Sequence, residues 1–237
     1  LSQRHGLVDT FLDTLSPVHP DGYKFIAIAA VVTAILCLIW PGIGIVAALI
    51  TAWVVYFFRD PERVTPLREG LVIAPADGRI SAIEKVRPPT ELGLGPDERV
   101  RISTFLSIFD VHINRAPVPG RIVRSLYVPG AFLNAALDKA SEENERRALI
   151  IQTAAGDEVA VVQIAGLVAR RIVTFSHEGD SVGVGERFGL IRFGSRVDVY
   201  LPVGKSAIVA VGQRAVAGET VFADFKSGEA EREARRS

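Results

Sequence analysis

The pair of residues with the most chemical potential in this chain is Gly194-Ser195. Gly-Ser is a common turn dipeptide, but here it separates two apolar, strand-like runs. These are Phe188-Gly189-Leu190-Ile191-Arg192-Phe193 and Val197-Asp198-Val199-Tyr200-Leu201-Pro202. A serine hydroxyl beside an unhindered glycine carbonyl can attack it when the backbone is strained and a base removes the proton. Other reactive residue types are sparse. The four histidines, His5, His19, His112 and His177, lie far apart with no metal-ligand spacing. The single cysteine, Cys37, excludes an internal disulfide framework and a Cys-based zinc cluster. No metal is expected.

Composition narrows the partners. The 237 residues carry 27 Lys+Arg against 27 Asp+Glu, a formal net charge of zero. Nucleic acid is therefore not an expected partner, because phosphate neutralisation needs a basic excess. With 49% hydrophobic and 23% charged residues the chain is not globally disordered, and its length suits one or two domains with a real core.

The elements that would position Gly194-Ser195 lie in a β-rich region that begins after residue 59. Short apolar runs separated by Gly, Pro and Asp predict strands at Leu71–Ala74, Arg79–Glu84, Val100–Leu106, Arg121–Val128, Ala148–Thr153 and Glu158–Ile164. Further strands are predicted at Ala169–Phe175, Phe188–Phe193, Val197–Leu201 and Ala207–Val211, with a hairpin turn at Ala154-Ala155-Gly156-Asp157. Ala131–Arg147 is the one helix candidate in this region, and 228–237 reads as a solvated tail. A short repeat joins Gly179-Asp180-Ser181-Val182-Gly183-Val184-Gly185-Glu186 to Gly212-Gln213-Arg214-Ala215-Val216-Ala217-Gly218-Glu219. Such paired glycine turns suit a barrel-sandwich hybrid, the fold of lipoyl and biotinyl carriers, as does the strand entry Ala74-Pro75-Ala76-Asp77-Gly78. The expected class is mainly β (α+β): a barrel-sandwich-hybrid-like core in 59–227 with a few helices.

Ahead of this core stands a different kind of segment. Residues 1–24 are mixed, with one apolar helical face from Leu7 to Leu15, and Pro20-Asp21-Gly22 reads as a break. From Phe25 to Phe58 no residue is charged, and Lys24 and Arg59 bracket the run. Pro41-Gly42 divides it into halves of roughly 24 Å, short of the ~30 Å hydrocarbon core of a bilayer. Residues 25–58 therefore read as a membrane anchor, either two short tilted spans or a helical hairpin that dips in and returns. Positive flanks favour the cytoplasmic side. A buried soluble hairpin is the alternative, disfavoured by the lack of any polar face.

Four ordered motifs then point to one family. Arg192-Phe193-Gly194-Ser195-Arg196-Val197-Asp198-Val199 resembles the self-cleavage segment of phosphatidylserine decarboxylases. Phe57-Phe58-Arg59-Asp60-Pro61-Glu62-Arg63, Ala74-Pro75-Ala76-Asp77-Gly78 and Phe109-Asp110-Val111-His112-Ile113-Asn114-Arg115-Ala116-Pro117 fit the same family in order, as does Tyr127-Val128-Pro129-Gly130 with Phe132. The resemblance runs from about 57 to about 222 and is to the short bacterial type.

The resemblance implies that Ser195 attacks the Gly194 carbonyl. The chain would split into β (1–194) and α (195–237) chains, held as a heterodimer, and Ser195 would become a pyruvoyl group. That group would serve as electron sink while CO2 leaves phosphatidylserine to give phosphatidylethanolamine. Phosphatidylserine and membrane lipid are the implied partners at the inner, cytoplasmic membrane, and a higher homo-oligomer is also compatible. Taken alone, Asp77 reads as a turn former before Gly78, and His112 as a partly buried histidine satisfied by backbone. The resemblance instead makes them partners of Ser195 in a Ser–His–Asp set, with a histidine suited to the proton because its reference pKa is about 6.5. Other branches carry a second histidine where this chain has Arg115. That leaves open whether His112 serves self-cleavage, protonation or both. Arg115 reads equally as a contact for the substrate carboxylate or phosphate and as a surface or salt-bridged arginine. The rival functions are a membrane-tethered adaptor or carrier, which would want a lysine at the 194–195 tip, and a pyruvoyl decarboxylase of soluble amino acids, which would need no anchor.

Overall fold

Prolines open both described helices of the N-terminal region. In the computed structural model, which describes residues 16–130, 144–166, 171–192, 194–229 and 232, helix α1 spans Pro20–Ile39 and helix α2 spans Pro41–Phe57. Pro20-Asp21-Gly22, expected as a break, is instead the start of α1. Proline fits the first helical position because its missing N–H would find no helical partner there, and the His19 side chain accepts from the Asp21 N–H. The two helices meet through a Thr33–Thr51 hydroxyl hydrogen bond of 2.8 Å and through Gly44, where a Cβ would lie 2.5 Å from Cys37 Sγ. Backbone hydrogen bonds from His19 N–H to the Phe58 carbonyl (2.8 Å) and from Asp60 N–H to the Pro17 carbonyl (2.7 Å) pin the open end. Lys24 and Arg59 therefore lie at the same end of a helical hairpin. Helix α1 is long and apolar enough to cross a membrane, and α2 is shorter. The large side chains of Leu38, Ile39, Ile45 and Leu49 are exposed. The apolar face expected from Leu7 to Leu15 lies outside the described residues.

This hairpin belongs to a first compact unit ending at Glu62, and a second unit begins at Arg63. The second is mainly β, as the turn-punctuated apolar runs predict. Its strands are β1 (Leu71–Ile73), β2 (Gly78–Val86), β3 (Arg99–Leu106), β4 (Ile113–Arg115), β5 (Gly120–Val128), β6 (Arg146–Gln152) and β7 (Glu158–Ala165). Six more follow: β8 (Ile172–Thr174), β9 (Ser181–Val182), β10 (Arg187–Ile191), β11 (Ser195–Tyr200), β12 (Arg214–Ala215) and β13 (Val221–Asp224). Eight form one sheet in the order β12-β2-β3-β11-β7-β6-β5-β9; β4-β10-β8 form a second, and β1 pairs with β13. One face of the large sheet buries Ile102, Leu106, Val159, Val161, Val197 and Val199 in the main core. The other face carries a smaller cluster with Ala160, Val162, Ile164 and Tyr200. This is the period-2 alternation of a sheet covered on both sides.

Three expectations fail locally. The runs on either side of Gly194-Ser195 do not form a hairpin with that pair at its tip: β10 pairs with β4 and β8, and β11, which begins at Ser195, pairs with β3 and β7. Ala207–Val211 is not a strand. Ala207, Ile208 and Val209 are buried, but as an irregular segment between the Gly204 and Gly212 turns, with the Ile208 N–H bonded to the Phe222 carbonyl. The ladder pairing falls to β12 and β13 instead. The helix expected over Ala131–Arg147 lies outside the described residues as far as 143, and its last two residues are in β6. There Arg146 pairs with Val128 and Arg147 with Tyr127, so cross-strand pairing overrides their helical propensity.

The glycine repeat is a structural repeat. Gly179, Gly185, Gly212 and Gly218 all take φ between 75 and 94°, the left-handed turn geometry that glycine supplies without strain. The hydrogen bonds repeat as well. Gly212 N–H donates to the Ile80 carbonyl and Ile80 N–H to Gln213. In the second copy Gly179 N–H donates to Ile122 and Ile122 N–H to Asp180. The strands that receive these turns are themselves repeated, as Ala74-Pro75-Ala76-Asp77-Gly78-Arg79-Ile80 and Ala116-Pro117-Val118-Pro119-Gly120-Arg121-Ile122.

Candidate active site

The strand registers bring the candidate residues to one end of the large sheet. Ser195 opens β11, opposite Leu106 at the end of β3 and opposite Ala165 at the end of β7. On the far side of β3, Arg79 stands opposite Phe105, so Asp77 and Gly78 enter β2 beside the same end. Gly78 takes φ 152°, and a Cβ there would lie 2.1 Å from the Phe105 carbonyl oxygen, which explains why only glycine fits this approach.

Ser195 is fully buried. Its side chain lies on the same face as Val197 and Val199, and its Oγ makes no hydrogen bond to any described residue. Gly194 just before it takes φ 60°. The Gly194 carbonyl accepts the Gly166 N–H at 3.1 Å. An unengaged buried hydroxyl therefore sits next to a peptide carbonyl that is already polarised by a donor. A prosthetic group made from Ser195 itself fits here. Its carbon skeleton is already in place, and β11 is held on both sides by β3 and β7.

His112 is buried between β3 and β4, and its carbonyl accepts the Ile191 N–H, four residues before Ser195. The imidazole Nδ1 is 2.9 Å from the Asp110 carbonyl oxygen. A carbonyl can only accept, so Nδ1 carries the proton and Nε2 is the basic nitrogen. Asp110 is fixed in turn: its carboxylate accepts from Ser107 N–H at 2.8 Å, from the Ser107 hydroxyl at 2.7 Å and from Arg214 at 2.8 Å.

The Asp77 carboxylate bonds Arg63 Nη2 at 2.8 Å and the Ala217 N–H at 2.7 Å. These two bonds hold the Asp77 carboxylate, and the Asp110 backbone orients the His112 imidazole. Burial pushes the Asp77 carboxyl above the ordinary carboxylate range and outweighs the opposing pull of Arg63 and Ala217; the nearby Asp110 charge adds to the rise. In the repeated strand entry the matching residue is Pro119, which has no carboxylate. The charge is therefore not something the turn itself requires. Arg115 is buried; its Nη1 donates to the Gly185 carbonyl at 3.0 Å, and its stem packs against Gly218. It thus bridges the two repeated turns.

Arg63 and Gly166 are the site residues that sequence reasoning did not single out. Arg63 lay within a quoted motif but gave no sign of its partner. Gly166 contributes only a backbone N–H, which leaves no signature in side-chain chemistry. Among the described residues no group of three or more His, Cys, Asp or Glu is placed to hold a metal ion.

The site is a serine buried at a Gly-Ser strand entry of a β-rich unit, and comparison with known proteins supplies the class, a decarboxylase. The profile of the phosphatidylserine decarboxylase family matches residues 50–223. The chain is 58% identical to the phosphatidylserine decarboxylase proenzyme of Ruegeria pomeroyi, covering 92% of this chain and 98% of that protein. It is 59% identical to the proenzyme of the same name from Nitrobacter winogradskyi, covering 90% of this chain and 86% of that one. The chain belongs to the phosphatidylserine decarboxylase family and is a decarboxylase. Family membership removes the non-catalytic adaptor as a reading.

Proposed function

We propose that this protein is made as a precursor that cuts itself between Gly194 and Ser195, and then converts phosphatidylserine to phosphatidylethanolamine and CO2 at the cytoplasmic face of the inner membrane. The observation that carries the proposal is the buried Ser195 hydroxyl, which has no hydrogen-bond partner among the described residues, beside the Gly194 carbonyl.

In the first step His112 Nε2 takes the Ser195 hydroxyl proton while Oγ bonds to the Gly194 carbon. The Gly166 N–H stabilises the charge that develops on the carbonyl oxygen. The proton passes to the Ser195 nitrogen, the C–N bond breaks, and an ester links the two chains. Loss of the Ser195 Cα proton then expels the Gly194 carboxylate from Cβ. The dehydroalanine left at 195 tautomerises and takes up water, releasing ammonia and leaving the pyruvoyl group. When formed, that group supplies the electron sink for loss of CO2. Asp77, at the adjoining strand entry, stabilises the imidazolium that proton transfer creates. Arg115 holds the turn at Gly185.

The fold keeps the products together. The chain 195–237 would carry β11, β12 and β13, each paired with a strand of the chain 1–194. The exposed apolar side chains of the hairpin support its role as the membrane anchor, with Lys24 and Arg59 facing the cytoplasm.

The test is a denaturing gel of the wild type and of Ser195→Ala, paired with a phosphatidylserine decarboxylation assay. The wild type should split and turn over. Ser195→Ala should do neither while keeping its fold. A wild type that splits but releases CO2 only from free amino acids would move the substrate assignment to a soluble decarboxylase.

A further inference from the structure

Two amide side chains lie buried between the sheet that carries Ser195 and the sheet that follows His112. Gln163 of β7 donates from Nε2 to Asn114 Oδ1 of β4 at 2.8 Å, and both residues are wholly excluded from solvent. Gln163 Oε1 and Asn114 Nδ2 find no partner among the described residues. An apolar pair at these positions would leave no polar atom unsatisfied, so the amides need a reason beyond packing.

Their placement supplies one. Gln163 stands opposite Val197, and Ala165, on the same face of β7, stands opposite Ser195. Gln163 is therefore the diagonal neighbour of Ser195 on the face into which the serine points. On β4, Val111 and Ile113 pack together with Leu190. Alternation turns His112 and Asn114 to the opposite side, toward the large sheet, which the Asn114–Gln163 bond confirms for Asn114. The bond thus ties the neighbour of Ser195 to the neighbour of His112. Gly189 of β10 makes the bond possible. A Cβ there would lie 3.1 Å from Gln163 Nε2 and 2.5 Å from the Val173 carbonyl oxygen.

We propose that the Gln163–Asn114 amide pair, admitted by Gly189, is the clamp that sets the approach of His112 to Ser195, and so positions the proton transfer of self-cleavage. The proposal rests on Ser195 as the cleavage nucleophile and His112 as its base. Neither amide touches the reacting atoms in this role; both act through the spacing of the two sheets.

The test follows cleavage of the freshly synthesised full chain by gel, with no need for decarboxylase activity. The variants are Gln163→Met, the exchange Asn114→Gln with Gln163→Asn, His112→Ala, and Gln163→Met combined with His112→Ala. Methionine keeps volume and removes the amide. Gln163→Met should slow cleavage about a hundredfold, the loss that ~1 Å of misplacement brings. The exchange variant, which keeps an amide pair, should recover about tenfold of that loss. The combined variant should cleave no more slowly than His112→Ala alone, because the clamp acts only through the imidazole. A merely structural role would make the two losses multiply, and that result overturns the proposal. So does a Gln163→Met chain that cleaves within about twofold of wild type, a difference too small for misplacement. If Gln163→Met fails to fold, the exchange variant decides alone: cleavage about tenfold slower than wild type, with no further loss when it is combined with His112→Ala, supports the clamp, and losses that multiply with His112→Ala refute it. A wild-type chain that never splits would sink the Ser195 reading itself along with the clamp, an outcome distinct from a split that ignores Gln163.

Discussion

The Gly166 N–H donates to the Gly194 carbonyl oxygen at 3.1 Å, on the one peptide group that the Ser195 hydroxyl can reach through its own backbone. The donor comes from just past the end of β7 and the carbonyl from just before β11, two strands that are paired along their length. The polarising group is therefore fixed by the sheet and needs no side chain. Replacing residue 166 by glycolic acid exchanges the N–H for an ester oxygen and keeps the rest of the backbone. Self-cleavage of that chain, followed by gel, should be slower by about 10²–10³-fold, as for loss of one oxyanion donor. An unchanged rate would remove Gly166 from the mechanism.

His112→Ala should accumulate the uncleaved chain, with the rate of splitting down by about 10²–10⁴-fold, the usual range for loss of a general base. A variant that splits normally but releases no CO2 would place His112 in decarboxylation alone.

The raised pKa of Asp77 has a consequence for stability. The folded carboxyl keeps its proton to higher pH than the unfolded one, whose ordinary value is 3.8. The stability linked to this group is therefore full below about that value and is lost as pH rises through the folded pKa. Measured from pH 3.5 upward, the urea midpoint of the wild type should fall relative to that of Asp77→Asn, which has no carboxyl to ionise. Parallel curves for the two proteins would contradict the burial argument.

The hairpin of α1 and α2 exposes apolar side chains along both helices, among them Leu38 at 87% and Leu49 at 68% of full exposure. The intact protein should sediment with membranes and resist extraction by alkaline carbonate. Protease added to sealed inverted vesicles should reach the segment after Arg59. Quantitative release by carbonate would rule out an embedded hairpin.

Much of this architecture was legible because its signals are local. The uncharged run between Lys24 and Arg59 marked the hairpin, and Pro41 marked its corner. The Ala154-Ala155-Gly156-Asp157 turn set the β6–β7 pairing. Glycines at positive φ betrayed the repeated turns. What escaped was non-local. Arg63 meets Asp77, Gln163 meets Asn114, and Arg115 meets the carbonyl of Gly185, each through pairings that no short window contains. The buried run Ala207–Val209 misled for a related reason. Burial makes a segment apolar whether or not it joins a ladder, so composition alone could not separate it from a strand. Asp77 and His112 were singled out as candidates only through the family's motifs, since an Asp before Gly and a lone histidine carry no chemistry by themselves.

The central claim is that Ser195 is consumed to make the chain's own prosthetic group. Intact-mass analysis of the purified, active enzyme tests it most directly. The account predicts two chains, with the smaller one covering 195–237, lacking a free amino terminus and carrying a carbonyl that reacts with hydrazine and with borohydride. An active enzyme whose 237 residues remain a single unbroken chain would contradict it.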